Sequence, residues 1–163
     1  AEQGVDYFTI HAGVLKEWKD PHSGRNITWG EVGCALSHYK IYEHCIKNNI
    51  ENAVIFEDDA EVPPNLNDKL ENTFNSLKKL EWDFCYIARK PMDTKKDMEI
   101  SPHLIQPGYS YWLCGYIINL KGMKKIIQTN FIKKIIPMDE IIPLLGNISP
   151  LTEYKNYFDT QNP

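Results

Sequence analysis

An α/β domain with a mostly parallel central sheet flanked by helices is predicted by three observations. Helical and strand segments alternate along the chain, the strand segments are rich in aromatic and β-branched residues, and 163 residues suit one domain with a sizeable core. The first element, "TWGEVGCALSHYKIYEHCIKN", opens with Thr28 and Glu31 spaced as a capping box. Val32, Leu36, Tyr39, Tyr42 and Ile46 follow at helical spacing, which predicts a helix over 29–48. The polar loop "NNIEN" leads into the strand "AVIF". Leu66, Leu70, Phe74 and Leu77 in "PPNLNDKLENTFNSLKKL" then mark a second amphipathic helix.

"DFCYIAR" and "YSYWLCGYIINL" read as two further strands joined by a polar, lysine-rich connection. A short helix, "MKKIIQTNF", follows Lys121-Gly122. Pro137 starts another in "MDEIIPLL", where Pro143 limits its length. In parallel α/β sheets ligands sit beyond the carboxyl ends of the strands, which is where Glu57, Asp58, Asp59 and Arg89 fall.

A net charge of -4 argues against broad contact with nucleic acid, and no apolar run reaches the roughly 20 residues of a membrane span. Cys34, Cys45, Cys85 and Cys114 form no CxxC pair, so a structural zinc site is not expected. Cys34 and Cys45, eleven positions apart on one helix, are too distant for a disulfide. Two sequons, at Asn26 and Asn147, matter only in a secretory compartment.

The stretch "AVIFEDDAEVPP" ends an apolar strand on three carboxylates, Glu57, Asp58 and Asp59. Residues two apart on a strand share a face, and carboxylates about 5 Å apart repel by roughly 3 kcal/mol at an effective dielectric near 20. The triplet fits hard oxygen ligation of Mn²⁺ or Mg²⁺ as well as it fits a solvated acidic loop. Strand geometry favours Glu57 with Asp59, whereas a turn before Pro63 would present Asp58 with Asp59.

Gly30 and Gly33 lie in the first turns of the first helix, where each weakens it by up to about 1 kcal/mol relative to alanine. That suggests close approach by another backbone or by a ligand. Ser37 and His38 are adjacent and diverge by about 100° around a helix, which rules out a Ser/His nucleophile pair and leaves a structural role or a substrate hydrogen bond. Tyr109, Tyr111 and Trp112 offer rings that either stack on a base or sugar face or belong to the core. Gly115 marks a close approach within a strand. Asp139 and Glu140, at a proline-initiated helix start, suit either the helix dipole or a general base. Arg89 and Lys90 suit a phosphate or an acidic partner.

Six segments, "WKDPHSGRNITWGEVGCALSHYKIY", "AVIFEDDAEV", "EWDFCYIARK", "GYSYWLCGYIINLKGMKKI", "IIPMDEIIP" and "LTEYKNYF", together resemble glycosyltransferase family 25. Within it they are most similar to the procollagen galactosyltransferases. Lipooligosaccharide galactosyltransferases share the wider pattern. The resemblance implies a GT-A-like, Rossmann-like nucleotide-sugar fold in a single domain over 1–163. It also implies Mn²⁺, with Mg²⁺ second, held by Glu57 and Asp59 with Asp58 as alternate. UDP-galactose is the implied donor, contacted by Gly30, Gly33, Ser37, His38, Arg89, Tyr111 and Trp112. Transfer is inverting, to hydroxylysine of collagen or to a glycan, with Asp139 as preferred base and Glu140 second.

The implied compartment is the endoplasmic reticulum lumen for a collagen-modifying enzyme and the cytoplasm for a viral or bacterial one. The family's opening "INL"-like strand and its continuation past "EYK" find no match here. That leads to the expectation of a truncated domain whose open sheet edge another chain covers, as in a homo-oligomer. A catalytically silent glycan- or collagen-binding module of the same fold is the alternative.

Overall fold

The computed structural model describes residues 13–149. Helix α1 spans Trp29–Lys47, strand β1 Asn52–Phe56, helix α2 Leu66–Leu77 and strand β2 Phe84–Pro91. A small hairpin, β3 (Met98–Ser101) and β4 (Leu104–Gln106), precedes strand β5 (Ser110–Asn119). Helices α3 (Leu120–Gln128) and α4 (Met138–Leu145) complete the described chain.

Local chemistry sets each boundary. Thr28 Oγ1 accepts from the Glu31 N–H while the Glu31 carboxylate accepts from the Thr28 N–H, so the expected capping box starts α1. Glu31 also takes both arms of Arg25, at 2.7 and 2.8 Å, tying the preceding loop to the helix start. The Asn119 side chain caps α3 by accepting from the Gly122 N–H at 2.7 Å. Pro137 leads into α4, and Pro143 sits inside it, yet the helix runs two residues further to Leu145.

The expected mostly parallel sheet is corrected in the described residues. The sheet order is β1-β5-β2, with both pairings antiparallel, and β3 and β4 form a separate antiparallel pair. The helix between β1 and β2 does return the chain in the same direction, as the alternation suggests. The reversed strand β5 then inserts between them, so no two neighbouring strands of this sheet are parallel among the described residues. Its buried residues Leu113, Gly115, Tyr116, Ile117 and Ile118 are covered on both faces, which gives the continuous apolar run that parallel strands usually show.

The main core lies where α1, α3 and α4 meet β5, with Tyr42, Tyr116, Ile118, Met123, Phe131 and Ile141 fully enclosed. On α1 the buried stripe is Val32, Ala35, His38, Tyr42 and Cys45; the expected Leu36, Tyr39 and Ile46 are only half-buried beside it. A smaller cluster of Leu77, Leu104 and Ile117 lies on the other sheet face. There α2 buries only Leu77, with Leu70 and Phe74 packed beside it, and a cavity of about 820 Å³ is lined by α2, Cys85, Ile87 and the hairpin. All four cysteines are free, in keeping with the expected absence of a Cys34–Cys45 bridge.

Candidate active site

Because β1 and β2 run the same way and β5 runs against them, the ends of the first two meet the start of the third. Glu57 follows β1, Arg89 and Lys90 close β2, and Tyr111 and Trp112 open β5, so all five lie at one end of the sheet. Helix α4 brings Asp139 to the same end: its Oδ2 accepts from the Trp112 N–H at 3.3 Å. Residues brought together by this crossing come from four segments of the chain.

Glu57 is half-buried, and its backbone N–H donates to the Cys114 carbonyl at 3.1 Å, continuing the ladder one residue past β1. Asp58 and Asp59 sit on the following turn and are exposed. Burial raises the Glu57 carboxyl above its ordinary range. The neighbouring charges that push the same way are acids, Asp59, Asp139 and Asp58. A hard oxygen set in which like charges oppose one another fits a divalent cation. Glu57 also accepts from the Cys34 thiol at 3.6 Å and faces His38 Nε2 at 3.8 Å.

His38 is buried, and loss of solvation pushes it down to about 4, so it is neutral at pH 7 and its contact with Glu57 is not an ion pair. Its Nδ1 lies 2.6 Å from the Tyr116 hydroxyl, which is itself 2.7 Å from the Tyr42 hydroxyl. Cys34, His38 and Glu57 form a group whose donor atoms all lie within 4.8 Å of one another. Cys34 and His38, four apart, share a helix face. A search for CxxC or for a Ser37–His38 pair passes over a Cys-x-x-x-His helical pair, and Glu57 joins it only through the fold.

The two acids of α4 part company. Asp139 is half-buried beside Trp112, and burial, with Glu31 and Asp20 nearby, raises its carboxyl above the usual range. Glu140 is only 3% exposed; both its oxygens lie 2.8 Å from the Tyr109 hydroxyl, and burial pushes it up to about 7. Asp139 is therefore the more accessible of the two carboxylates.

Trp112 is 53% exposed, with the Lys90 ammonium 5.3 Å from its ring centroid, and Tyr111 stands edge-on to His22. Arg89 is committed to the protein, donating to Ser110 Oγ at 2.8 Å and pairing with Asp97 at 2.6 Å. Ser37 donates to the Gly33 carbonyl within its own helix. A Cβ added at Gly33 would meet nothing within 4 Å, so no described protein atom accounts for that glycine. At Gly115 the close approach is the Phe56 ring, 2.8 Å from where a Cβ would stand.

The profile described as Glycosyltransferase family 25 (LPS biosynthesis protein) matches residues 6–142. Among curated proteins the chain is 34% identical over 154 residues to human procollagen galactosyltransferase 2, covering 91% of this chain and 25% of that protein. Over 154 residues it is also 35% identical to a bovine protein named probable inactive glycosyltransferase 25 family member 3, covering 92% of this chain and 26% of that one. Zebrafish procollagen galactosyltransferase 1 is 34% identical over 150 residues, covering 89% of this chain and 25% of its own length. The chain thus spans about a quarter of the length of these relatives.

Proposed function

Since this chain belongs to glycosyltransferase family 25, we propose that it transfers galactose from UDP-galactose to a hydroxyl acceptor, hydroxylysine of a collagen-like protein. The observation that carries the reading is the meeting of the acidic strand end at Glu57 with Asp139 beside the exposed Trp112 ring, all at one end of the sheet.

Glu57 and Asp59 would hold Mn²⁺, with Asp58 as a water-mediated or alternate ligand. Such an ion supplies Lewis-acid stabilisation of the diphosphate leaving group. Asp139 takes the proton of the acceptor hydroxyl as its oxygen bonds to the anomeric carbon and the bond from that carbon to the diphosphate oxygen breaks, with inversion. A carboxylate raised above its ordinary range is the stronger base for that proton. The Trp112 N–H, donating to Oδ2, orients the carboxylate. The Trp112 ring supplies a face for the sugar or uracil, and Lys90 above it supplies positive charge for phosphate. Glu140, locked on Tyr109, holds the start of α4 in place.

Incubation with UDP-hexoses, Mn²⁺ and a hydroxylysine-containing peptide tests donor, metal and acceptor together. Product is expected with UDP-galactose and is expected to vanish in Asp59→Ala; near-normal turnover in that variant refutes the metal assignment. Names of relatives that include "inactive" favour a second reading, a silent module that recognises a glycan or collagen. That module would bind neither UDP-galactose nor Mn²⁺ tightly, and calorimetry separates the two.

A further inference from the structure

From the meeting of Cys34, His38 and Glu57 at the mouth of the sheet, we infer a binding site for a borderline transition-metal ion, Zn²⁺ by preference, that takes Glu57 from the acid triplet and adds sulfur and nitrogen ligands to it. Three observations carry it. The ligand types are a thiol, an imidazole and a carboxylate, the mixed set that zinc takes and that manganese and magnesium do not favour. The spacings fit as well. Ligands about 2.0 to 2.3 Å from a tetrahedral zinc lie roughly 3.3 to 3.8 Å from one another; Glu57 Oε1 is 3.6 Å from Cys34 Sγ and 3.8 Å from His38 Nε2, and all three donor atoms lie within 4.8 Å of one another, so a small inward side-chain movement brings them onto one ion.

The third observation is the support behind the histidine. His38 is 4% exposed and its Nδ1 is held by Tyr116, whose hydroxyl is held in turn by Tyr42. In the tautomer whose Nδ1–H donates to Tyr116, Nε2 is unprotonated and lies 3.8 Å from Glu57 Oε1, too far for a hydrogen bond. A hydrogen-bonded partner on the far ring nitrogen is the arrangement that orients a metal-bound imidazole. Cys34 and Glu57 are only partly buried, which leaves the fourth position for water or an anion. On binding, the Cys34 S–H bond breaks, the sulfur–metal bond forms and the proton passes to solvent.

The inference shares Glu57 with the transferase reading but does not rest on it, because its test needs no sugar nucleotide and no turnover. Titration of the chain with Co²⁺, a spectroscopic substitute for zinc, is expected to give a thiolate-to-cobalt charge-transfer band and the strong visible bands of tetrahedral cobalt. Cys34→Ser should abolish the charge-transfer band, and His38→Gln and Glu57→Gln should weaken cobalt binding on the order of a hundredfold or more. Tyr116→Phe should weaken it about tenfold through the lost support. Cys85→Ser, on the other sheet face, should leave the spectrum unchanged. Absence of the band in the parent, its survival in Cys34→Ser, or its loss in Cys114→Ser instead overturns the site.

If a variant fails to fold, the parent decides the matter alone. Zn²⁺ is expected to protect Cys34 from alkylation, read by mass spectrometry of its peptide, and equal labelling with and without zinc refutes the proposal.

Discussion

Trp112 holds a φ of 70°, and among the described non-glycine residues the others with positive φ are all asparagines. For a bulky residue that conformation costs on the order of 1 to 3 kcal/mol. The ring is exposed, so burial does not offset that cost. Strain at a half-open ring beside Asp139 belongs to the site rather than to the core. Trp112→Gly is expected to leave the denaturation midpoint unchanged or raised, while UDP-galactose binding measured by calorimetry weakens at least tenfold. Donor binding equal to the parent would show that the ring takes no part. Asp139→Asn should lower kcat by roughly 10² to 10⁴, as loss of a general base does, with donor affinity largely kept. Asp139 was legible in the sequence from the proline before it. Its ranking above Glu140 followed from that proline and the family resemblance; what the sequence did not carry is that α4 turns Glu140 toward the Tyr109 hydroxyl.

At the scale of elements, legibility follows the range of the interaction. The capping box of α1 is complete within four residues, and its sequence signal and geometry agree. The alternation of helix and strand also placed β1, α2, β2, β5, α3 and α4. Strand direction is decided by partners far away in sequence, and a buried antiparallel β5 carries the same apolar run as a parallel strand. The Cys34–His38–Glu57 group was hidden for the same reason, since Glu57 lies on another element. Gly115 shows how tightly β1 and β5 fit: the Phe56 ring fills the space that a side chain would need. Gly115→Ala should destabilise by about 1 to 3 kcal/mol, as overpacking does, in a chemical denaturation measurement. Adding Phe56→Leu should recover part of that loss, and strict additivity of the two would count against the ring as the obstacle.

Over the whole molecule, two buried titratable groups oppose each other in the response to pH. His38 falls from 6.5 unfolded to about 4 folded, so the unfolded chain binds more protons between those values, and stability is lost as pH falls through that window. Glu140 rises from 4.5 unfolded to about 7 folded, so the folded chain binds more protons, and stability is lost as pH rises through its window. Each is worth on the order of 3 kcal/mol across its window, and the windows overlap. The parent is therefore expected to show a flat stability profile from about pH 4.5 to 6.5 from these two groups. Glu140→Gln should expose a profile rising with pH, read from urea midpoints at several pH values; an unchanged flat profile would refute the assignment. Arg89 lines the cavity beside α2 while it donates to Ser110 at the site end.

The interleaving of β5 has a consequence for how the molecule comes to be folded. Asn52 pairs with Asn119 and Phe56 with Gly115, so the β1–β5 ladder closes a loop of roughly sixty residues. Until β5 docks, β1 and β2 lack the strand to which both bond, and their edges stay open to other chains. Such non-local pairing slows folding. Substitutions in β5 should therefore lengthen the time the chain spends in an aggregation-prone form, besides lowering its final stability.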